Sequence, residues 1–491
     1  MTIADKSAKT VTATASLYID GEWRSAPGGK TFEVRNPATG EKIADVADGG
    51  VPEVRAAIEA AHRAFPAWSA MPAEKRAVLL EKAAALMMER IDHLAAVLTA
   101  ENGKPLAESR GETTIGAAFL KWNAEEARRI YGEVVPSAAP DRRLLTFRQP
   151  VGVVAAITPW NFPTSMVTRK LGPALGAGCT AVLRPARATP LVAYEIFKVL
   201  EDAGIPKGVV NLVTGTDSPG MGRELATNPM VRKLTFTGST EVGKELLALT
   251  SGTVKRVSLE LGGHAPSIVF DDADIEKAAA SVVTSRFRNA GQTCICTNRV
   301  YVQKSIAAEF TARVAAITAE LKVGNGAQPG IQIGPLIDSR GYAKVEQHVA
   351  DAVGKGAKVL VGGKPSTAAN GLTNNFYQPT VLSNATSNML VMYEETFGPV
   401  LPIATFETEE EAIELANNTP FGLAAYFYAR DIGRIFRVSE KLEYGIVGVN
   451  DPLPTGPHIP FGGFKESGLG VENGSMGISH FLETKSVSIG I

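Results

Sequence analysis

The sequence predicts an α/β protein with a parallel, doubly wound sheet, followed by a second α/β domain. Three observations predict it. Between residues 151 and 261 short apolar strands alternate with helical segments, and a second alternating series starts at 266. The chain has 491 residues, 45% hydrophobic and 21% charged, which suits about three packed units with real cores.

Taken in order, residues 1–16 (MTIADKSAKTVTATAS) read as a polar, flexible tail without the apolar core of a signal peptide. Residues 53–100 read as two Ala-rich helices punctuated by Pro66 and Pro72, with Leu79, Leu80, Ala83, Leu86, Met87, Ile91 and Leu94 at helical spacing. Helix continues over 112–131, and residues 133–150 then form an arm with strand-like LLTF near its end. The strands VGVVAAI (151–157), TAVLR (180–184), VVNLVT (209–214), KLTFT (233–237) and KRVSLEL (255–261) alternate with helices near 164–177, 190–203, 219–227 and 241–250. Strands buried on both faces read as continuous apolar runs. Doubly wound sheets bind ligands at the carboxyl ends of their strands, which singles out the loops at 158–163, 184–190, 215–218 and 238–243. The second series holds PSIVF (266–270), a helix near 274–287, RVYVQ (299–303), a helix near 306–321, KVLVGG (358–363) and LPIATF (401–406). The last residues, HFLETKSVSIGI, form a strand that would pair with the 133–150 arm, within or between subunits.

Composition excludes several classes. Fifty Lys and Arg against 51 Asp and Glu leave a net charge of −1, so no nucleic-acid or membrane surface is held by bulk charge. No apolar run approaches the roughly 18–20 residues of a membrane span. Three cysteines cannot form a disulfide framework, and a reducing, cytoplasmic compartment is expected.

The glycine-rich loops are weighed against chemistry. Gly176-x-Gly178-x-x-Ala181 matches a dinucleotide fingerprint as a string but precedes a strand instead of following one, so it reads as a helix end. Gly238-Ser-Thr-Glu-Val-Gly243-Lys244 does follow a strand and open a helix, the right place for a phosphate. It nearly matches a P-loop, but Glu245 stands where the magnesium ligand should be and Glu241 adds negative charge, so an NTPase is disfavoured. A dinucleotide lying on that turn fits, and a plain glycine turn fits equally well from the spacing alone.

Phe287-Arg-Asn-Ala-Gly-Gln-Thr-Cys294-Ile-Cys296 places two thiols on a polar turn between a helix and a strand. Cys-x-Cys alone is a poor zinc site, and the six histidines show no ligand spacing, so no metal is expected. Cys179 reads as a small core residue, whereas Cys294 on its polar loop is a candidate nucleophile.

These motifs resemble the aldehyde dehydrogenase superfamily. Phe287–Cys294 is similar to its cysteine signature, Leu259-Glu260-Leu-Gly-Gly263 to its glutamate signature, and Thr158-Pro-Trp-Asn161-Phe-Pro163 to its asparagine motif. Glu394-Glu395-Thr-Phe397-Gly-Pro399 and Pro460-Phe-Gly-Gly463-Phe-Lys465-x-Ser467-Gly468 complete five motifs in family order, and the resemblance covers about residues 17–490. It implies a Rossmann-like dinucleotide-binding domain (1–130 and 151–262), a catalytic domain (263–473) and a small β oligomerisation arm (131–150 and 474–491). It implies Cys294 as nucleophile, Asn161 with the Cys294 backbone N–H as oxyanion donors, and Glu260 as general base. It also implies NAD or NADP as cofactor, with Glu395 on the nicotinamide ribose, Phe397 near the ring, Trp160, Gly238 and Ser239 at the pyrophosphate, and Lys465 near a cavity mouth. A homodimer or homotetramer is expected.

The chain departs from the family where Arg184-Pro185-Ala186-Arg187 replaces the usual Lys-Pro. Arg184 takes the place of the ribose-binding lysine, and Arg187 that of the glutamate that repels a 2′-phosphate, so use of NADP as well as NAD is expected. The residues around 167–170 and 287–296 resemble the succinate-semialdehyde dehydrogenase branch, which implies Arg169, Arg288 and Thr455 around the substrate's far carboxylate. The Pro-rich loop 450–459, with Asp451 and His458, departs from that branch, and sulfolactaldehyde is the alternative substrate. Two arginines would repel an aminoaldehyde. A reversible disulfide between Cys294 and Cys296 would be a redox switch. From another class, a cofactor-independent thiol esterase would keep the cysteine and base but would not need Gly238, Glu395 and Phe397.

Overall fold

The structure is a computed structural model and describes residues 14–366 and 371–491. The polar tail expected for residues 1–16 therefore lies, up to residue 13, outside the described residues.

The N-terminal region opens with short strands, antiparallel except for the parallel pairing of Thr14–Ala15 with Lys42–Ala47, and then four helices: α1 (Val51–Ala70), α2 (Ala73–Glu89), α3 (Ile91–Asn102) and α4 (Leu106–Ala127). The sequence reading expects two helices over 53–100, and there are three. α1 runs through Pro66 and ends at Met71, where φ −65 and ψ 132 leave the helical region ahead of Pro72. A second break falls at Arg90 (φ −98, ψ 16), which closes α2 and opens α3. No Gly or Pro marks that break, so spacing alone carries the eye straight through it.

The alternating region forms the expected parallel sheet from β1 (Val153–Ile157), β2 (Thr180–Arg184), β3 (Val210–Leu212), β4 (Val231–Thr237) and β5 (Arg256–Glu260). The order β5-β4-β1-β2-β3 is parallel throughout. The connecting helices are α5 (Pro163–Ala177), α6 (Leu191–Ala203), α7 (Ser218–Thr227) and α8 (Thr240–Thr250). β1 shows why the run is apolar on every residue. Val153, Ala155 and Ile157 pack into one core with α1 and α7, and Val154 and Ala156 into another with α2, α4 and α5. β1 is the first of these five parallel strands in sequence yet lies between β4 and β2, so the chain reverses direction on either side of it and leaves a crevice at the strands' carboxyl ends.

After α9 (Ile275–Phe287) comes the rest of a second sheet. Its parallel strands are β6 (Ala265–Val269), β7 (Thr297–Gln303), β8 (Thr380–Ser383), β9 (Val400–Phe406), β10 (Ala424–Tyr428) and β11 (Ile446–Val449), in the order β8-β9-β7-β6-β10-β11. Lys358–Val361 adds an antiparallel edge against β8. β8, β10 and β11 escape the sequence reading although turn residues flank the last two (Asn417–Gly422 before β10, Gly445 and Asn450-Asp451-Pro452 around β11), because apolar runs of four or five residues do not by periodicity alone distinguish a strand from a helix segment. The C-terminal strand Leu482–Gly490 pairs antiparallel with Arg142–Pro150, from Leu482 opposite Pro150 to Gly490 opposite Arg142, within one chain. Among the described residues no helix is long and apolar enough to cross a membrane.

Candidate active site

The Cys294 loop is shaped by backbone conformation. α9 ends at Phe287, and Asn289 (φ 50), Ala290 (φ 55) and Gly291 (φ 75) follow in the left-handed region. Such residues cost about 1–3 kcal/mol each when they carry a Cβ, so their surroundings must hold them. Gly291 has a second constraint, because a Cβ there would lie 2.3 Å from the Gly398 carbonyl. Asn289 is held on both sides: its N–H donates to Glu108 at 2.9 Å and its Nδ2 to the Asn161 carbonyl at 2.9 Å. Gln292 bridges onward, its Oε1 accepting from the Ile337 N–H at 2.9 Å. Cys294 follows, half-buried.

Asn161 is fixed by the same network. Its carbonyl accepts from Lys104 Nζ at 2.7 Å, and Lys104 is paired with Glu112 at 2.5 Å, both fully buried. Glu112 also accepts the N–H groups of Thr164 and Ser165 at 2.8 and 3.1 Å, supplying from another helix the cap that α5 lacks in its own sequence. The Asn161 side chain donates one Nδ2 hydrogen to the Gln292 carbonyl at 3.0 Å, leaving the other available to the cavity, and among the described residues its buried Oδ1 has no partner.

Two cavities meet at Cys294. The first, of about 70 Å³, is walled by Phe119, Phe162 and Phe461 and carries Arg169, Arg288 and Thr455. The second, of about 290 Å³, is lined by Trp160, Asn161, Gly238, Ser239, Glu260, Lys344, Glu395 and Phe397. Glu260 is 2% exposed, and among the described residues its carboxylate oxygens accept no hydrogen bond of good geometry, the Cys294 thiol being the donor at hand. Burial raises its pKa, opposed by the Arg169 charge. The Cys294 thiol is pushed well above its usual range by burial first and then by the neighbouring Glu260 charge, with Arg169 pulling the other way. Glu395 is raised to about 8 by burial, while the Gly263 N–H that it accepts at 3.3 Å lowers it. Phe397 (φ 53) sets its ring edge-on to Trp160, with centroids 5.5 Å apart.

The residues of the second cavity fit a nicotinamide dinucleotide. Ser239 caps the N-terminus of α8 beside Gly238, a place that suits a pyrophosphate. The buried hydroxyls of Thr158 and Thr237 have no partner among the described residues. Arg184 lines a third cavity beside α8.

Three expected site residues lie elsewhere. Arg187 is exposed, its guanidinium over the Phe32 ring at 5.7 Å, and it lines none of these cavities. His458 is exposed and edge-on to Trp122 at 6.4 Å, outside the first cavity. Lys465 is turned away, with Nζ on the carbonyls of Asn417 and Thr419 and paired with Glu443 at 2.5 Å. Each sits in the right segment, but its side chain has a nearer partner. Cys296 is 1% exposed and lines neither cavity, its sulfur lying 3.2 Å from Arg286 Nη1.

The structure adds residues that the sequence reading passed over. Glu472 pairs with Arg169 at 2.7 Å, in an orientation too poorly aligned for a hydrogen bond, and with Lys170 Nζ at 2.9 Å. Those two cations hold its pKa down at about 2 against the burial that raises it. Lys344 lines the second cavity and donates to the Glu395 carbonyl at 2.6 Å. Neither residue lies in a motif that announces a cavity.

Residues 23–487 match the aldehyde dehydrogenase family. A glutarate-semialdehyde dehydrogenase of Pseudomonas aeruginosa is 52% identical over 473 residues, covering 96% of this chain and 97% of that protein. The NADP(+)-dependent succinate-semialdehyde dehydrogenase GabD of Escherichia coli is 51% identical over 473 residues, with coverage of 96% and 97%. A crystal structure of an E. coli NADP-dependent enzyme superposes with a TM-score of 0.95 at 51% identity, covering 97% of this chain and 98% of that one. Sequence and fold agree: this chain belongs to the aldehyde dehydrogenase family and is an oxidoreductase acting on aldehydes.

Proposed function

We propose that the chain oxidises a short aldehyde with an anionic tail, succinate semialdehyde first of all, to the carboxylic acid with NADP or NAD. The observation that carries this is the sharing of Cys294 by a small cavity bearing Arg169 and Arg288 and a larger one bearing Glu260 and Glu395. The semialdehyde substrates named for the two relatives have the same chemistry, an aldehyde at one end and a carboxylate at the other.

The residues divide the work as follows. The guanidinium groups of Arg169 and Arg288 receive the tail, and Thr455 offers a hydroxyl beside them. The Cys294 thiol gives its proton to the Glu260 carboxylate, which releases it to solvent, and Sγ adds to the aldehyde carbon. The oxygen of the resulting thiohemiacetal accepts from the free Asn161 Nδ2–H and from the Cys294 N–H, a stabilisation of about 3–4 kcal/mol per donor. A bound nicotinamide dinucleotide supplies the hydride acceptor. Trp160, Gly238, Ser239, Glu395 and Phe397 would hold its nicotinamide half and pyrophosphate, and Arg184 its adenosine ribose. Glu260, buried and unpaired, takes a proton from water, whose oxygen attacks the thioester left on Cys294. The C–S bond breaks, the acid leaves and the thiol is restored.

The arm strands expose Val134, Phe147 and Ile489, apolar surface that suits a second copy of the chain.

The test is a panel of aldehydes with carboxylate, sulfonate, neutral and amine tails, each assayed with NAD and with NADP for reduced-cofactor formation. The expected result is the highest kcat/KM for succinate semialdehyde and the lowest for the amine. A sulfonate substrate in first place would replace the carboxylate reading. Ester turnover without dinucleotide and no aldehyde oxidation would overturn the mechanism.

A further inference from the structure

Asn473 holds a backbone conformation that its residue type does not favour. Its φ of 61 and ψ of −178 fall in a region that is essentially glycine's alone, and strained positions of this kind concentrate at ligand sites. A glycine would make the same turn without strain, so the turn by itself does not account for an asparagine. The chain around it is pinned. Glu472 and Phe461 exchange both backbone hydrogen bonds, at 2.7 and 2.8 Å, and the Gly474 N–H donates to the Pro457 carbonyl at 2.9 Å. The Glu472 carboxylate is itself paired with Arg169 and Lys170. Asn473 is therefore fixed next to the partner of Arg169, and it lines the first cavity with Arg169, Arg288, Thr455 and Cys294. It is 7% exposed, and among the described residues its carboxamide makes no hydrogen bond.

We infer that Asn473 is a specificity-determining residue for the aldehyde: its Nδ2–H donates to the anionic tail, and its bulk closes the cavity to acid-tailed aldehydes longer than succinate semialdehyde. This rests on the reading above that the first cavity holds the tail. The cavity has only about 70 Å³. Its aromatic walls, Phe119, Phe162 and Phe461, pack around methylenes but offer an anion no N–H. Arg169 Nη2 is buried and, among the described residues, without a hydrogen-bond partner, so it is a donor in waiting. A guanidinium meets a carboxylate through two parallel bonds and leaves further lone pairs on its oxygens. A neutral amide fills one of these without bringing a third cation beside Arg169 and Arg288. The substrate is held between two fixed points, the Cys294 sulfur at its carbonyl carbon and the guanidinium groups at its tail. An additional methylene has to be taken up against the cavity wall, and the pinned backbone at Asn473 cannot give way. An asparagine supplies both the donor and the wall, whereas a glycine supplies neither.

The test uses the full-length protein with NADP and three aldehydes, with kcat and KM measured for each. They are succinate semialdehyde, glutarate semialdehyde, which is one methylene longer, and butanal, which lacks the acid. The intact chain is expected to favour succinate over glutarate semialdehyde by at least about 10-fold in kcat/KM, the scale of one methylene in a closed cavity. Asn473→Gly, which suits the same backbone, is expected to lower that ratio by roughly 10-fold or more. Asn473→Asp keeps the shape and puts a negative charge in place of the donor. It is expected to lower the kcat/KM ratio of succinate semialdehyde to butanal by roughly 10- to 100-fold, through KM and not kcat. A preference of the intact chain for glutarate semialdehyde, or an unchanged ratio of the two semialdehydes in Asn473→Gly, would overturn the limit on length. An unchanged ratio of succinate semialdehyde to butanal in Asn473→Asp would overturn the donor role. A loss of kcat shared by all three aldehydes in both variants, with both ratios intact, would make Asn473 a support for Glu472 and overturn the proposal. In each of these cases a preference of the intact chain for acid tails leaves the tail reading standing. Turnover of butanal as efficient as that of succinate semialdehyde by the intact chain would overturn the tail reading itself.

Discussion

On one side of Cys294 the cavity walls carry the guanidinium groups of Arg169 and Arg288; on the other they carry the carboxyls of Glu260 and Glu395. The first cavity is built on the inner face of α5 and the turn after α9, with aromatic walls. The second is built on the carboxyl ends of β1, β4 and β5. On the proposed reading the difference separates two tasks, because a small cationic cavity would select a small anion and hold its tail. An acidic cavity pushes the thiol towards its neutral form and supplies a base for water. The sulfur sits on the boundary, where burial first raises its pKa, the Glu260 charge raises it further and the Arg169 charge lowers it. That comparison can be broken from either side.

The largest effect is expected at the boundary itself. Cys294→Ala should lower kcat for aldehyde oxidation by about 10,000-fold or more, as removal of a nucleophile does. The dinucleotide side should keep its shape, so cofactor binding by titration should change little. A variant that turned aldehydes over normally would dissolve the division between the two sides. Asn161→Ala should follow, with a loss of about 100- to 1,000-fold in kcat and a small change in KM, because the amide acts on the developing oxyanion rather than on the tail. Steady-state kinetics with succinate semialdehyde would show it.

The two arginines sharpen the comparison because they share a cavity but not an environment. Arg288 has its guanidinium over the Phe162 ring at 4.9 Å, and Arg288→Gln should raise KM for an acid-tailed aldehyde roughly 10- to 100-fold, about 1.5–3 kcal/mol, with little effect on a neutral one. Arg169 is 5% exposed and paired with Glu472, and Arg169→Gln leaves that acid with one cation fewer. It should cost the same binding and also up to about 3–5 kcal/mol of stability, visible as a lowered Tm. Equal melting of the two variants would place Arg169 with Arg288 as a pure tail contact.

This contrast also marks what was legible in the sequence. Where a site is made by consecutive residues, the chain announces it. The Phe287–Cys294 turn, the Glu260 strand end and the Asn161 loop each carry their geometry locally, and the alternating apolar runs give the sheet. What was not legible is the choice among distant partners. Lys104 and Glu112 hold Asn161 from the N-terminal helices, and Glu472 reaches Arg169 from near the end of the chain. Arg187, His458 and Lys465 show the converse, since each lies in a promising segment while an aromatic ring or a pair of carbonyls takes the side chain elsewhere. Periodicity and motif spacing describe neighbours along the chain, and such pairings are settled only by packing.

The smallest effect is the most direct reading of the boundary. Burial raises the Cys294 pKa first, the Glu260 charge raises it further, and the Arg169 charge lowers it. The thiolate is the form that alkylates, and it dominates only above the pKa. Glu260→Gln removes a negative neighbour, which favours the thiolate, so the pH profile of iodoacetamide alkylation should move to lower pH even though thioester hydrolysis is lost. Arg169→Gln removes a positive neighbour, which disfavours the thiolate, so the profile should move to higher pH. The two displacements have opposite signs only if the sulfur senses both cavities. Displacement in the same direction, or none for either variant, would mean that burial alone sets the thiol and that the charges on the two sides act on the ligands without acting on Cys294.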